Sequence, residues 1–313
     1  MLKYSSTPLV SVMVVTYNHE KYVAQALDSI LAQNVNFSIE IVIADDCSID
    51  QTPTILTDYL QKHPEVIRLL SNDTNLGVSR NFERAMKASH GKYVAIIEGD
   101  DYWTSMHKLQ KQVDFMEANP EFTMCFHNAE VVYENDPARQ AHLMNQNEKP
   151  EYSLNDITSG WFIATASVMY RNGVLPTLPS WVHKSVVVDL PLFALLATKG
   201  RIGYLSDLMS VYRVHSNGVT RSGKQEQFLL RLGKMCQYLD EELQQKYHRN
   251  LTLKQSDNYN ILAGIMAGNK QYKKARNYFV KSLYCKFSVG EFPNMSEIKN
   301  LILLSLPVLR RVK

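Results

Sequence analysis

Tyr93-Val-Ala-Ile-Ile-Glu-Gly-Asp-Asp-Tyr-Trp103 is the stretch on which the reading of this chain turns. Tyr93 to Ile97 is a short apolar, β-branched run of the kind buried on both faces of a parallel sheet. Three carboxylates, Glu98, Asp100 and Asp101, follow within four residues. Buried charges are costly unless they are paired or bind a metal. Oxygen donors clustered at a strand end suit a hard cation such as Mg²⁺ or Mn²⁺, and such an ion can hold a diphosphate. Gly99 lets the backbone turn and leaves room for a ligand. The plainer alternative is an acidic turn that caps the next helix.

Working outward, the same kind of run recurs. Residues 9–16 and 39–44 read as buried strands, and Val66 to Leu70 as a third. Between them lie helical spacings. Tyr22, Val23, Ala26, Leu27, Ile30 and Leu31 share a face within Glu20–Gln33, and a helix starts at Asp50-Gln-Thr-Pro53 with Pro53 in its first turn. Asn75-Leu-Gly77 is a loop before a helix over Ser79–Ser89. This alternation predicts an α/β fold, a mainly parallel sheet flanked by helices. In such sheets ligands bind beyond the carboxyl ends of the strands. Three strands end in polar clusters there: Thr16-Tyr17-Asn18, Asp45-Asp46 and Glu98 to Asp101.

After residue 101 the pattern loosens. Lys108–Ala118 and Leu190–Ala197 read as helices, and strands fall within Glu121–Tyr133, Ser167–Tyr170 and Gly203–Val214. Glu134–Tyr152 is polar, lacks periodicity and reads as a long loop. From Lys224 onward the pattern is helical. The expected domains are therefore 1–224 and a C-terminal helical extension, 225–313. Asn258–Gly268 and Tyr272–Phe279 read as a helical hairpin that weakly resembles one tetratricopeptide unit, too little to bury its own faces.

Composition excludes several classes. A net charge of +3 over 313 residues is too small for a nucleic-acid partner. The four cysteines are far apart, which fits neither a zinc site nor a disulfide framework and suits a reducing compartment. Met1–Pro8 does not read as a signal peptide, and no apolar run reaches the roughly 20 residues of a membrane span. The expected location is cytoplasmic, or peripheral on the inner face of a membrane. The apolar tail Ile298–Lys313, ending Leu-Arg-Arg-Val-Lys, suits contact with an anionic membrane surface, or equally a terminal helix packed on the protein.

Four motifs in register, Val10–Asn18, Ile41–Asp46, Asn75–Asn81 and Ile97–Trp103, resemble the family 2 glycosyltransferases over residues 8 to about 220. The resemblance implies the GT-A fold and inverting transfer of a sugar from a nucleotide-diphosphate donor, most simply a UDP-sugar, to a glycan or lipid-linked acceptor in surface polysaccharide synthesis. By this resemblance Thr16 and Tyr17 border the base, and Asp46 or Asp45 accepts its imide N–H. Arg80 lies near the donor phosphates, and Glu98 and Asp100 on the donor. Asp100, Asp101 and His215 (of Tyr212-Arg-Val-His215) match metal positions, with Mn²⁺ or Mg²⁺ as cofactor. Glu98 stands where most relatives carry aspartate. Asp189, in Val186-Val-Val-Asp-Leu-Pro191, matches the general base, although Val188 replaces a usual glutamate and Asp189 also suits a helix N-cap. Trp161 and Trp181 fall where relatives shape the acceptor pocket, and Ser216–Gly223, with Arg221 and Lys224 at hand, reads as a closing loop. Two other classes compete. A sugar-phosphate nucleotidyltransferase needs a Gly-rich loop after its first strand, and residues 16–20 hold no glycine. A noncatalytic scaffold or sugar-binding subunit does not need Asp100, Asp101 and Asp189.

Overall fold

A computed structural model describes residues 7–134, 136, 138–146, 148–215, 225–295, 297 and 299. The chain divides into two compact units, Met1–His183 with Val187–Gly218, and Lys184–Val186 with Val219–Lys313.

The first unit is a sheet flanked by helices. Its strands are β1 (Val10–Thr16), β2 (Ile39–Asp45), β3 (Ile67–Leu70), β4 (Tyr93–Glu98), β5 (Tyr102–Trp103), β6 (Phe122–Tyr133), β7 (His142–Leu143), β8 (Glu151–Tyr152), β9 (Met169–Arg171) and β10 (Arg201–Val214). Its helices are α1 (Val23–Leu31), α2 (Thr52–Lys62), α3 (Val78–Ala88), α4 (Lys108–Ala118), α5 (Leu154–Ser159) and α6 (Asp189–Ala197). The sheet order is β3-β2-β1-β4-β9-β6-β10-β5, with β7 against β6 and β8 against β10. One half, β3-β2-β1-β4, is parallel throughout. The other half is mixed. Strand β9 runs antiparallel between β4 and β6, β10 is parallel to β6, and β5 is antiparallel to β10.

The β-branched runs form strands because both of their faces are covered. Val10, Val12, Val14, Ile41, Ile43 and Ile97 have no solvent exposure and pack with Val23, Leu27 and Ile30 of α1. The register has a functional consequence. Val15 lies beside Ala44 and Glu98, and Thr16 beside Asp45, so the polar residues that end β1, β2 and β4 stand in one row.

Two local expectations give way. Residues 134–152 are not only loop, because β7 and β8 add short edge pairings to β6 and β10. The first helix starts at Val23 rather than Glu20. Residues 18–20 are held instead by the loop after β2: Asn18 N–H donates to Ser48 Oγ, His19 N–H to Thr52 Oγ1 and Glu20 N–H to Asp50.

The second unit holds α7 (Gln225–Glu242), α8 (His248–Gly268) and α9 (Tyr272–Ser288). α8 and α9 pair through Leu262, Ala263, Met266, Ala275, Tyr278 and Phe279. No described helix is long and apolar enough to cross a membrane. The expected loop Ser216–Gly223, with Lys224, and all of the tail Ile298–Lys313 except Lys299 lie outside the described residues.

Candidate active site

The row of strand ends carries a hydrogen-bonded cluster centred on Asp100. Its carboxylate oxygen Oδ2 is 3.0 Å from His215 Nε2 and 3.6 Å from His19 Nε2. His215 is buried at the end of β10, and the ring of Tyr22 lies 4.7 Å from it. Burial works to raise the Asp100 pKa, but the two imidazoles outweigh it and hold the group below the usual carboxylate range.

Asp101 points elsewhere. It is 1% exposed, and Oδ1 accepts the backbone N–H of Arg213 at 2.8 Å. Its other oxygen is buried without a hydrogen-bond partner. Burial, Asp100 and Glu98 push its pKa well above the ordinary value. Asp101 thus ties the acidic turn to β10, a role the sequence did not signal.

Arg213 completes that tie. Its Nη1 donates to Asp100 O and its Nη2 to Gln25 Oε1, and Nε lies 3.0 Å from Glu134 Oε1. The guanidinium sits between the rings of Tyr22 and Tyr102, 4.7 and 5.0 Å from their centroids. The bifurcating geometry of arginine suits this multiple bridging.

Glu98, at the end of β4, faces Asp100 and Asp189 electrostatically. Burial and these two carboxylates raise its pKa to about 8, which favours the protonated form, a hydrogen-bond donor. Asp189 opens α6, and its Oδ1 accepts the N–H of Leu190 at 2.8 Å. It also lines a cleft with Ile157, Gly160, Trp161, Phe162, Ile163, Leu190 and Phe193. Trp161 is 45% exposed there, whereas Trp181 is not part of the lining. Tyr212 interacts with Glu98, Asp101, Asp100 and Asp189, and burial followed by these charges raises its pKa far out of the physiological range.

The expected base-binding residues form the other end of the row. Thr16 is buried with Oγ1 unpartnered, and Tyr17 is 42% exposed. Asp45 accepts from the Ser48 backbone and hydroxyl. Asp46 accepts from Leu76 N–H at 2.7 Å and Gly77 N–H at 2.9 Å, which shapes the 75–77 loop. Both carboxylates therefore already have partners within the chain. Arg80 is exposed on the first turn of α3, while Arg84, one turn on, reaches the carbonyl of Asp45.

Gly99 has a steric reason. A Cβ at this position would stand 2.6 Å from Thr16 Oγ1 and 2.9 Å from His19 Nδ1, both buried and unpartnered. His19 was not singled out by the sequence reading. Its signal was position alone, a ring nitrogen in the polar turn after β1.

Among the described residues, no three His, Cys, Asp or Glu side chains form a preassembled metal site. The donor set nevertheless suits an ion that takes the rest of its shell from substrate phosphates. One carboxylate and nearby imidazoles converge at one oxygen, which is how Mn²⁺ is commonly held beside a diphosphate. Asp101 has one oxygen on the β10 backbone, while its other oxygen is buried without a hydrogen-bond partner.

The model of the family described as glycosyl transferase family 2 matches residues 11–176. An uncharacterised protein of Mycobacterium tuberculosis is 37% identical over 212 residues, covering 68% of this chain. The chain spans only 60% of that relative's length. TuaG of Bacillus subtilis, named as a teichuronic acid biosynthesis glycosyltransferase, is 38% identical over 109 residues, covering 35% of this chain and 42% of TuaG. Among solved structures, residues 1–349 of Staphylococcus aureus TarS in complex with UDP-GlcNAc superpose with a TM-score of 0.61 at 20% identity. That match covers 88% of this chain and 81% of the other, and speaks to the fold.

Proposed function

The chain belongs to glycosyl transferase family 2, and from that premise we propose that it transfers a sugar from a UDP-sugar to a hydroxyl of a glycan or lipid-linked acceptor. Surface polysaccharide synthesis is the setting that the likeness to TuaG favours. The UDP donor is favoured by the likeness to TarS. The observation that carries the reading is the apposition of two chemistries at one row of strand ends. Asp100 lies 3.0 Å from His215 and 3.6 Å from His19, and Glu98 links it electrostatically to Asp189.

The proposed reaction is a single displacement with inversion. Asp189 accepts the proton of the acceptor hydroxyl, and the acceptor oxygen forms a bond to the anomeric carbon. The bond from that carbon to the β-phosphate oxygen breaks, and its electron pair leaves with the nucleoside diphosphate. Leu190 N–H orients Asp189 for this role. Glu98, whose raised pKa favours the protonated form, donates to a donor oxygen. Asp100, His215 and His19 would hold Mn²⁺ or Mg²⁺. A bound ion would offset the charge developing on the leaving diphosphate. Thr16, Tyr17, Asp45, Asp46 and Arg80 border the nucleoside and phosphates. The apolar cleft beside Asp189 receives the acceptor.

The test is a calorimetric titration of UDP, GDP and dTDP, with and without Mn²⁺, on the wild type, Asp100→Ala and Asp189→Asn. Metal-dependent binding of UDP, lost in Asp100→Ala and kept in Asp189→Asn, is the expected result. Asp189→Asn should then lower turnover by roughly 10²–10⁴-fold at unchanged donor affinity. Absence of binding by every nucleotide would end the transferase reading.

A further inference from the structure

Helix α9 has two unlike sides. One packs on α8 through Ala275, Tyr278 and Phe279. The other is a single stripe at helical spacing: Lys273, Arg276, Val280, Tyr284 and Phe287. Val280 is 52% exposed, Tyr284 75% and Phe287 53%. Phe292 and Met295 extend the apolar end, 78% and 70% exposed, with the ring of Phe292 6.1 Å from that of Phe287.

The charge on this helix is one-sided. Its 17 residues carry five cations, Lys273, Lys274, Arg276, Lys281 and Lys286, and no carboxylate. Lys274 pairs with Glu226 and Lys286 with Glu297. Lys281 lies over the rings of Tyr259 and Tyr278. Lys273 and Arg276, at the basic end of the stripe, have no ion pair among the described residues.

We infer that this face of α9 is a docking surface for an anionic lipid bilayer. Exposed aromatic and aliphatic side chains in line with lysine and arginine match a headgroup boundary, where rings enter the acyl edge and cations meet acidic headgroups. The stripe joins cations at one end to exposed rings at the other, which gives it complementarity to an acidic headgroup layer over an apolar interior. The inference rests on the described residues of α9 and those that follow it, and it does not depend on the transferase reading.

Co-sedimentation of the full chain with vesicles tests it. Phosphatidylcholine vesicles are compared with vesicles of mixed phosphatidylglycerol and phosphatidylcholine. The variants are Lys273→Gln/Arg276→Gln, Tyr284→Ser/Phe287→Ser, and Arg310→Gln/Arg311→Gln in the tail. Binding to the anionic vesicles only is expected. The Lys273/Arg276 pair should weaken it about thirtyfold, roughly a factor of five for each cation. The Tyr284/Phe287 pair should weaken it comparably, with unaltered circular dichroism. Three outcomes overturn the inference: no vesicle binding by the wild type, loss confined to the tail variant, or a dimer in light scattering that the stripe variants dissociate.

Discussion

Asp100 shows how one carboxylate is prepared by its neighbours. Two imidazole Nε2 atoms, at 3.0 and 3.6 Å, converge on a single oxygen, while the backbone carbonyl of the same residue is held by Arg213. Removing one imidazole should be felt first in cation affinity. His19→Asn is expected to weaken Mn²⁺ binding about tenfold, read by electron paramagnetic resonance of free Mn²⁺ with UDP present. Unchanged affinity would leave His19 as packing. Gly99 offers a second test at this scale. The added methyl of Gly99→Ala would meet Thr16 Oγ1 at 2.6 Å, and its other close neighbour is the His19 ring. We expect at least a hundredfold loss of transfer with little change in thermal midpoint, because misplacing a positioned group by about an ångström costs about that much. Activity near wild type in this variant would show that the turn relaxes freely.

Helix α4 opens on a buried lysine. Lys108, its first residue, is fully buried, and its Nζ lies 3.9 Å over the Trp103 ring without a hydrogen-bond partner. Burial lowers its pKa to about 7, against an ordinary value of 10.5. The sign follows from proton counts. Between those values the unfolded chain binds a proton that the native chain does not, so stability rises with pH. The contribution is complete above pH 10.5 and is lost as pH falls toward 7. Lys108→Met removes the titration and should stabilise the protein by about 1–3 kcal/mol at pH 7. It should also flatten the rise in stability between pH 7 and 10, measured by urea unfolding at several pH values. A variant no more stable than wild type at pH 7 would mean that contact with the indole outweighs desolvation. Trp103 itself is pinned by its ring N–H to Ala166 O and by pairing with Ser210, so this element anchors the far end of the acidic turn.

The whole molecule divides its labour. Every described residue of the candidate site belongs to the sheet unit, and α7 to α9 belong to the other. A ligand stabilises only the part that binds it. UDP with Mn²⁺ at a hundred times its dissociation constant contributes about 2.7 kcal/mol. In scanning calorimetry the transition of the sheet unit should move up by several degrees, and a separate helical transition should stay in place. A shift of both by the same amount would mean that the two units unfold as one.

Periodicity was enough to read most of the sheet unit. The runs Val10–Thr16, Ile39–Asp45 and Tyr93–Glu98 are strands because fully covered positions demand β-branched side chains, and that demand is local. The parallel order then made the meeting of Thr16, Asp45 and Glu98 foreseeable. The short strands β7 and β8 were not legible, because two-residue edge pairings leave no period. Nor was the division of tasks within Glu98–Asp101. The chain order lists three equivalent carboxylates. Only the fold turns Asp101 inward to the β10 backbone, sets Asp100 against two histidines that lie 196 positions apart, as their numbers give, and raises the Glu98 pKa by burial, then by Asp100 and Asp189. Sequence by itself determined the alternation, and with it the edge of the sheet where polar side chains gather. Tertiary structure alone decided which of them meets a histidine, another carboxylate or a backbone amide, because those energies depend on distances of a few ångströms between residues remote in the chain.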